Sequence, residues 1–158
     1  MAMSAKDVLS SYWDDGSLPV DPRYIATQMG ISVLADPNLD GSGHYEPTGA
    51  KNGGPLITYN PTESIVRQRF TIAHELGHHA LSHGPRDRDT PENFTMIFSD
   101  PKEVAANKFA AHLLMPKDFV HALIQVRGVR ELEKLASLFK VSKAAMRYRL
   151  KDLGYGIR

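Results

Sequence analysis

No cysteine occurs in the 158 residues. Disulfides and thiolate ligands are thereby excluded, and imidazole and carboxylate remain as the strong metal-binding groups. The same absence fits a reducing compartment. Long apolar runs are also missing. No segment approaches the roughly eighteen apolar residues of a membrane helix, and no N-terminal stretch joins basic residues to an apolar run of signal length. The expectation is a cytoplasmic chain with no membrane partner. Net charge is only +1, and 42% hydrophobic content at this length suits one compact core.

What is present is concentrated in His74-Glu75-Leu76-Gly77-His78. On a helix, imidazoles four residues apart leave one face toward a single metal ion, and the carboxylate between them reaches a water on that ion. Asn60-Pro61-Thr62-Glu63 reads as a helix start, with Asn60 as N-cap. Ile65, Ile72, Leu76 and Ala80 then form an apolar stripe of helical period, and Gly84 with Pro85 supplies a stop. The motif therefore belongs to a predicted helix of about twenty residues.

A catalytic zinc site normally takes three protein ligands. Downstream candidates are His79, His83, Glu92, Glu103, His112 and His121. The metzincin pattern requires a Gly three residues and a His six residues beyond His78, but Leu81 and Gly84 stand there. The gluzincin arrangement instead draws a Glu from a second helix. Asp100-Pro101-Lys102-Glu103 opens such a helix, running to a stop before Pro116. Small residues at Ala105, Ala106, Ala110 and Ala111 permit close approach of the two helices. Glu103 can alternatively close a capping box on Asp100. The ligand role is preferred because no other carboxylate stands at a comparable place. Asn107, one turn on, can hydrogen-bond a ligand or lie exposed. His79 and His83 point away from the ion, as surface residues or outer supports.

Before the motif, a short helix is predicted near residues 4–13 and a second over 21–29, ended by Gly30. Strands are predicted at 31–34, 44–45 and 56–59, separated by turn-rich sequence. A small, largely antiparallel sheet is the economical assembly, and one of its strands is expected to hold a substrate backbone. Residues 82–99 read as a polar loop, either a lid or rim or a segment without fixed structure. Residues 127–158 carry nine Lys or Arg against three acids, a balance of +6 that leaves −5 for residues 1–126. Two helices over 131–140 and 142–152 make a helix-turn-helix-like unit. There Lys143, Arg147, Arg149 and Lys151 are candidates for nucleic-acid or partner contact, while Leu135, Leu138, Phe139, Met146 and Leu150 look like core.

The stretch Arg69-Phe70-Thr71-Ile72-Ala73-His74-Glu75-Leu76-Gly77-His78 resembles the ImmA/IrrE family of gluzincin-like metallopeptidases. So does Glu103-Val104-Ala105-Ala106-Asn107-Lys108-Phe109-Ala110-Ala111-His112-Leu113-Leu114-Met115-Pro116. The similarity extends from about residue 20 onward, with Ala105 standing where many members carry a second Glu. The resemblance implies His74, His78 and Glu103 as metal ligands, Glu75 as catalytic acid/base, one Zn²⁺ ion, and a helix-turn-helix repressor as the protein partner in a phage, mobile-element or stress switch. It implies an α+β fold: a minimal zincin-like metallopeptidase domain over 1–126 with a small, mostly antiparallel sheet and an active-site helix pair. A C-terminal helical extension over 127–158 is expected to pack on the same globule. The expected function is zinc-dependent endopeptidase, with Tyr45, Tyr59, His112 or an Arg as oxyanion donor. The alternative is a metal-containing binding module that sequesters a repressor, or a DNA binder.

Overall fold

Short local signals set the elements of the computed structural model, which describes residues 2–83 and 100–156. Helix α1 (Ala5–Tyr12) begins at a reciprocal capping box, Ser4 Oγ accepting from Asp7 N and Asp7 Oδ2 accepting from Ser4 N. Helix α2 (Pro22–Gln28) has Asp21 as N-cap and proline in its first turn, and Gly30 at φ +83° turns the chain into the sheet.

Strands β1 (Ser32–Ala35), β2 (Gly43–Glu46) and β3 (Leu56–Tyr59) form a sheet of order β1-β3-β2. The fold is α+β, and the sheet is mixed. Strand β2 runs antiparallel to β3 with Tyr45 opposite Ile57, as a mostly antiparallel sheet requires, while β1 runs parallel to β3 with Val33 opposite Ile57. The parallel pair arises because the chain leaves β1, forms edge strand β2, and enters β3 between them. Alternation buries Gly43, Tyr45, Ile57 and Tyr59, and both β2 and β3 pack on helix α3 (Ile65–Ala80).

Helix α3 begins later than Asn60. The Asn60 side chain instead closes a turn, accepting from Thr62 N and Oγ1, and Ser64 is the N-cap, accepting from Arg67 N. The helix is 16 residues long and ends before Gly84, with Ser82 at φ 60° completing the turn. On its apolar stripe Ile72, Leu76 and Ala80 are buried, and Ile65 at the first turn is exposed.

Helix α4 (Pro101–Leu114), N-capped by Asp100, packs along α3. Helix α5 (Lys117–His121) continues into a π-helical turn (Ala122–Val126). Helices α6 (Leu132–Phe139) and α7 (Lys143–Asp152) follow, joined through Lys140 in the left-handed conformation with Ser142 as the second N-cap. Their Leu135, Phe139, Met146 and Leu150 are buried in the same cluster as Val8, Ile57, Leu76 and Leu113, whereas Leu138 is exposed. Arg69 ties the two ends together: it donates to the carbonyl oxygens of Lys140 (3.1 Å), Val20 (2.7 Å) and Phe139 (3.3 Å). Residues 84–99, most of the predicted lid or rim, lie outside the described residues.

Candidate metal centre

The centre grows from the contact between α3 and α4. Gly77 makes it possible: a Cβ at that position would stand 3.1 Å from the Phe109 ring and 3.2 Å from Ala106 O. A side chain there would require Phe109 and the Ala106 backbone to give way by a few tenths of an ångström. Ala106 and Ala110 are completely buried in the contact, while Ala105 and Ala111 lie at its margin. At this separation Glu103 reaches the facing helix. Its Oε2 lies 3.0 Å from His74 Nε2 and its Oε1 3.2 Å from His78 Nε2.

His74, His78 and Glu103 are all buried, and one ligand atom from each lies within 4.8 Å of the others. Donors held tetrahedrally at about 2.0–2.1 Å from one ion stand roughly 3.3 Å apart. Two imidazoles and one carboxylate at the observed spacing are therefore compatible with a metal ion. Burial alone would raise the Glu103 pKa, but hydrogen bonds and positive charge from the two imidazoles outweigh it and hold the carboxyl well below its ordinary range.

The outer nitrogens are positioned as well. His74 Nδ1 lies 2.8 Å from Asn107 Oδ1, which can only accept, so Nδ1 carries a proton and Nε2 is the nitrogen turned toward Glu103 and the centre. Phe70 stacks on the other side of this ring, centroids 6.5 Å apart at 23°. His78 Nδ1 lies 2.8 Å from His83 Nδ1. The left-handed turn at Ser82 brings His83 back, and its N–H donates to His78 O. Sequence spacing alone gave no hint of that return.

Glu75 lies between the imidazoles on α3 and is 1% exposed. Strand β2 passes against it at Gly43, where a Cβ would stand 2.3 Å from Thr71 Cγ2 and 3.0 Å from Glu75 Oε2. The lack of a side chain at Gly43 lets a sheet edge approach the carboxylate that closely. Neither Gly43 nor Gly77 stood out by composition. An isolated glycine inside an otherwise helical run was the one available signal for Gly77.

Other candidates are held elsewhere. Tyr45 Oη lies 2.8 Å from His79 Nδ1, Tyr59 Oη accepts from Arg23 at 2.8 Å, and His112 lies 3.9 Å from Asp152 on the exposed side of α4. His121 pairs with Tyr155, and Glu92 lies outside the described residues. Among the tail cations, Lys143 pairs with Glu133 at 3.0 Å, and Arg147 and Lys151 are exposed. Arg149 is not an exposed cation of the tail: it is 4% exposed, donating to Met115 O and Asp152, both at 3.0 Å.

Comparison with known proteins agrees with this geometry. The family model of the IrrE N-terminal-like domain, a peptidase family, matches residues 26–151. Metallopeptidase ImmA of Bacillus subtilis (strain 168) is 31% identical over 93 residues, covering 58% of this chain and 54% of that protein. The chain thus spans about half the length of that relative. A solved structure described as a Mycobacterium tuberculosis transcriptional regulator superposes with a TM-score of 0.63 at 19% identity, over 93% of this chain and 46% of the other. That likeness concerns the fold. With a family model spanning both motif helices and the C-terminal pair, the chain belongs to the ImmA/IrrE metallopeptidase family, as an IrrE N-terminal-like domain.

Proposed function

We propose that this chain is a zinc-dependent endopeptidase that inactivates a protein partner, a helix-turn-helix repressor, by cleaving it. The observation that carries the reading is the convergence of His74, His78 and Glu103 around one point, with Glu75 next to His74 on the same helix. Two imidazoles and one carboxylate, without thiolate, are the donor set of catalytic rather than structural zinc. When bound, zinc polarises the scissile carbonyl and lowers the pKa of water toward about 7.

The chain's own groups do the rest. His74 and His78 hold their Nε2 atoms inward, the first through Asn107 and the second beside His83. Glu75 accepts the proton released by the attacking water and delivers it to the leaving amine. Strand β2 is one of the two edges of the described sheet, and its closeness to Glu75 at Gly43 supports it as the strand that pairs with an extended substrate backbone. The pairing of Lys143 and the burial of Arg149 weigh against the tail as a DNA-reading surface and favour a protein partner.

The test is incubation of the purified chain with candidate helix-turn-helix repressors, with and without a chelator, read by mass spectrometry of fragments. Chelator-sensitive cleavage at one bond supports the proposal. Tight, uncleaved complex formation supports the second reading, a regulatory binding module, which the near-complete burial of Glu75 favours.

A further inference from the structure

A groove of about 730 Å³ runs between the first half of α3, the length of α4 and helix α7. Its floor is apolar, formed by Phe70, Val104, Ala111, Met115, Val141 and Ala145. Along α4 and its C-cap the lining spans Val104 to Met115, roughly 16 Å. Ala111 on α4 and Ala145 on α7 line it with small side chains. Size and lining fall in the range of small-molecule sites, which are concave and apolar with a few fixed polar groups.

Two cations of the lining, Lys108 and Arg149, stand with a single acid, Asp152. Arg149 is held rigidly by Met115 O and Asp152 and is almost fully buried, so it is a prepaid cation rather than a mobile surface one. His112, at the same end, registers this field. Burial first, then the charges of Arg149 and Lys108, push its pKa down, with Asp152 opposing. Asn107, which fixes His74, and Phe70, which stacks on it, also line the groove.

We infer that this groove binds an amphiphilic anion, an apolar chain or ring system bearing one carboxylate or sulfonate, and that its occupancy is transmitted to His74 through Asn107 and Phe70. The apolar body fills the space between Ala111 and Ala145, and the head group lies toward Lys108 and Arg149. The binding half stands on the groove alone. The transmission half rests on the metal-centre reading above.

The probe is 1-anilinonaphthalene-8-sulfonate, titrated into the metal-free full chain and displaced by dodecanoate, with uncharged octyl glucoside as control. Saturable one-to-one binding is expected, displaced by dodecanoate and not by the glucoside. Ala111→Trp and Ala145→Trp, each filling the groove from a different helix, abolish it while circular dichroism stays native, and Lys108→Glu weakens it about fivefold. Absence of saturable binding, or binding that survives both filling variants, overturns the site, and equal displacement by octyl glucoside overturns the anion assignment. Zinc affinity measured by chelator competition should shift when dodecanoate is present in the wild type and not in Ala145→Trp. An unchanged affinity overturns transmission. Failure of the chain to bind zinc at all would sink the metal-centre reading and leave dodecanoate binding to be judged by its own titration.

Discussion

His74 and Asn107 face each other across the α3–α4 contact, with Nδ1 and Oδ1 2.8 Å apart. Asn107 therefore keeps a proton on Nδ1 of His74 and Nε2 turned toward the centre. Replacing it with Leu keeps the volume but removes the acceptor. Zinc affinity measured by competition with a fluorescent chelator should fall about 10- to 100-fold, with the fold retained. Unchanged affinity would make Asn107 a packing residue only.

Gly43 is required by the closeness of β2 to α3. Gly43→Ala brings a methyl group to 2.3 Å from Thr71 Cγ2, and something must move. A destabilisation of about 1–3 kcal/mol is expected in urea unfolding. Thr71→Ser removes the obstructing methyl, so the double variant should recover part of that loss. Simple additivity in the double-mutant cycle would show that the two positions do not meet.

Arg69 joins α3 to the carbonyls that end α6 and to Val20. Arg69→Met removes the donor to the Lys140 carbonyl and to the part-buried carbonyl oxygens of Val20 and Phe139. It should cost about 3 kcal/mol of stability, a loss read in chemical unfolding with both ends of the chain affected together. A change below about 0.5 kcal/mol, the range of ordinary surface positions, would contradict that role.

Acid sensitivity should come from His79 and His112. Burial pushes both pKa values below 6.5, so the unfolded chain binds more protons than the folded one as pH falls through that value. Their contribution to stability is complete above about pH 6.5 and erodes on acidification toward the lowered folded-state values. Metal-free unfolding curves between pH 8 and pH 5 should shift accordingly. His79→Gln, which can retain a bond to Tyr45, should flatten the dependence, and an unaltered pH profile in this variant would assign the effect elsewhere.

Much of the centre was legible because helical spacing is a local property. The pairing of His74 and His78 follows from their four-residue spacing on a predicted helix, and Glu103 from an Asp-Pro helix start, the excluded metzincin spacing and the family resemblance. Helix boundaries were less legible where two caps compete. Asn60 and Ser64 are both good N-caps, and only the packed structure shows Asn60 spent on a turn around Thr62. The mixed sheet was hidden for a related reason, since strand order depends on where β3 inserts and not on any one strand's sequence. His83, Gly43 and the Arg69 clamp depend on chain returns and on contacts between distant elements, which no single-strand or single-helix pattern encodes.

Metal stoichiometry by native mass spectrometry after zinc reconstitution, compared among wild type, Glu75→Gln and Glu103→Ala, tests the central claim most directly. One zinc per chain is expected in the wild type and in Glu75→Gln, with repressor cleavage lost only in the latter, and no retained zinc in Glu103→Ala. Full zinc occupancy in Glu103→Ala would contradict the assignment of the α4 carboxylate as the third ligand.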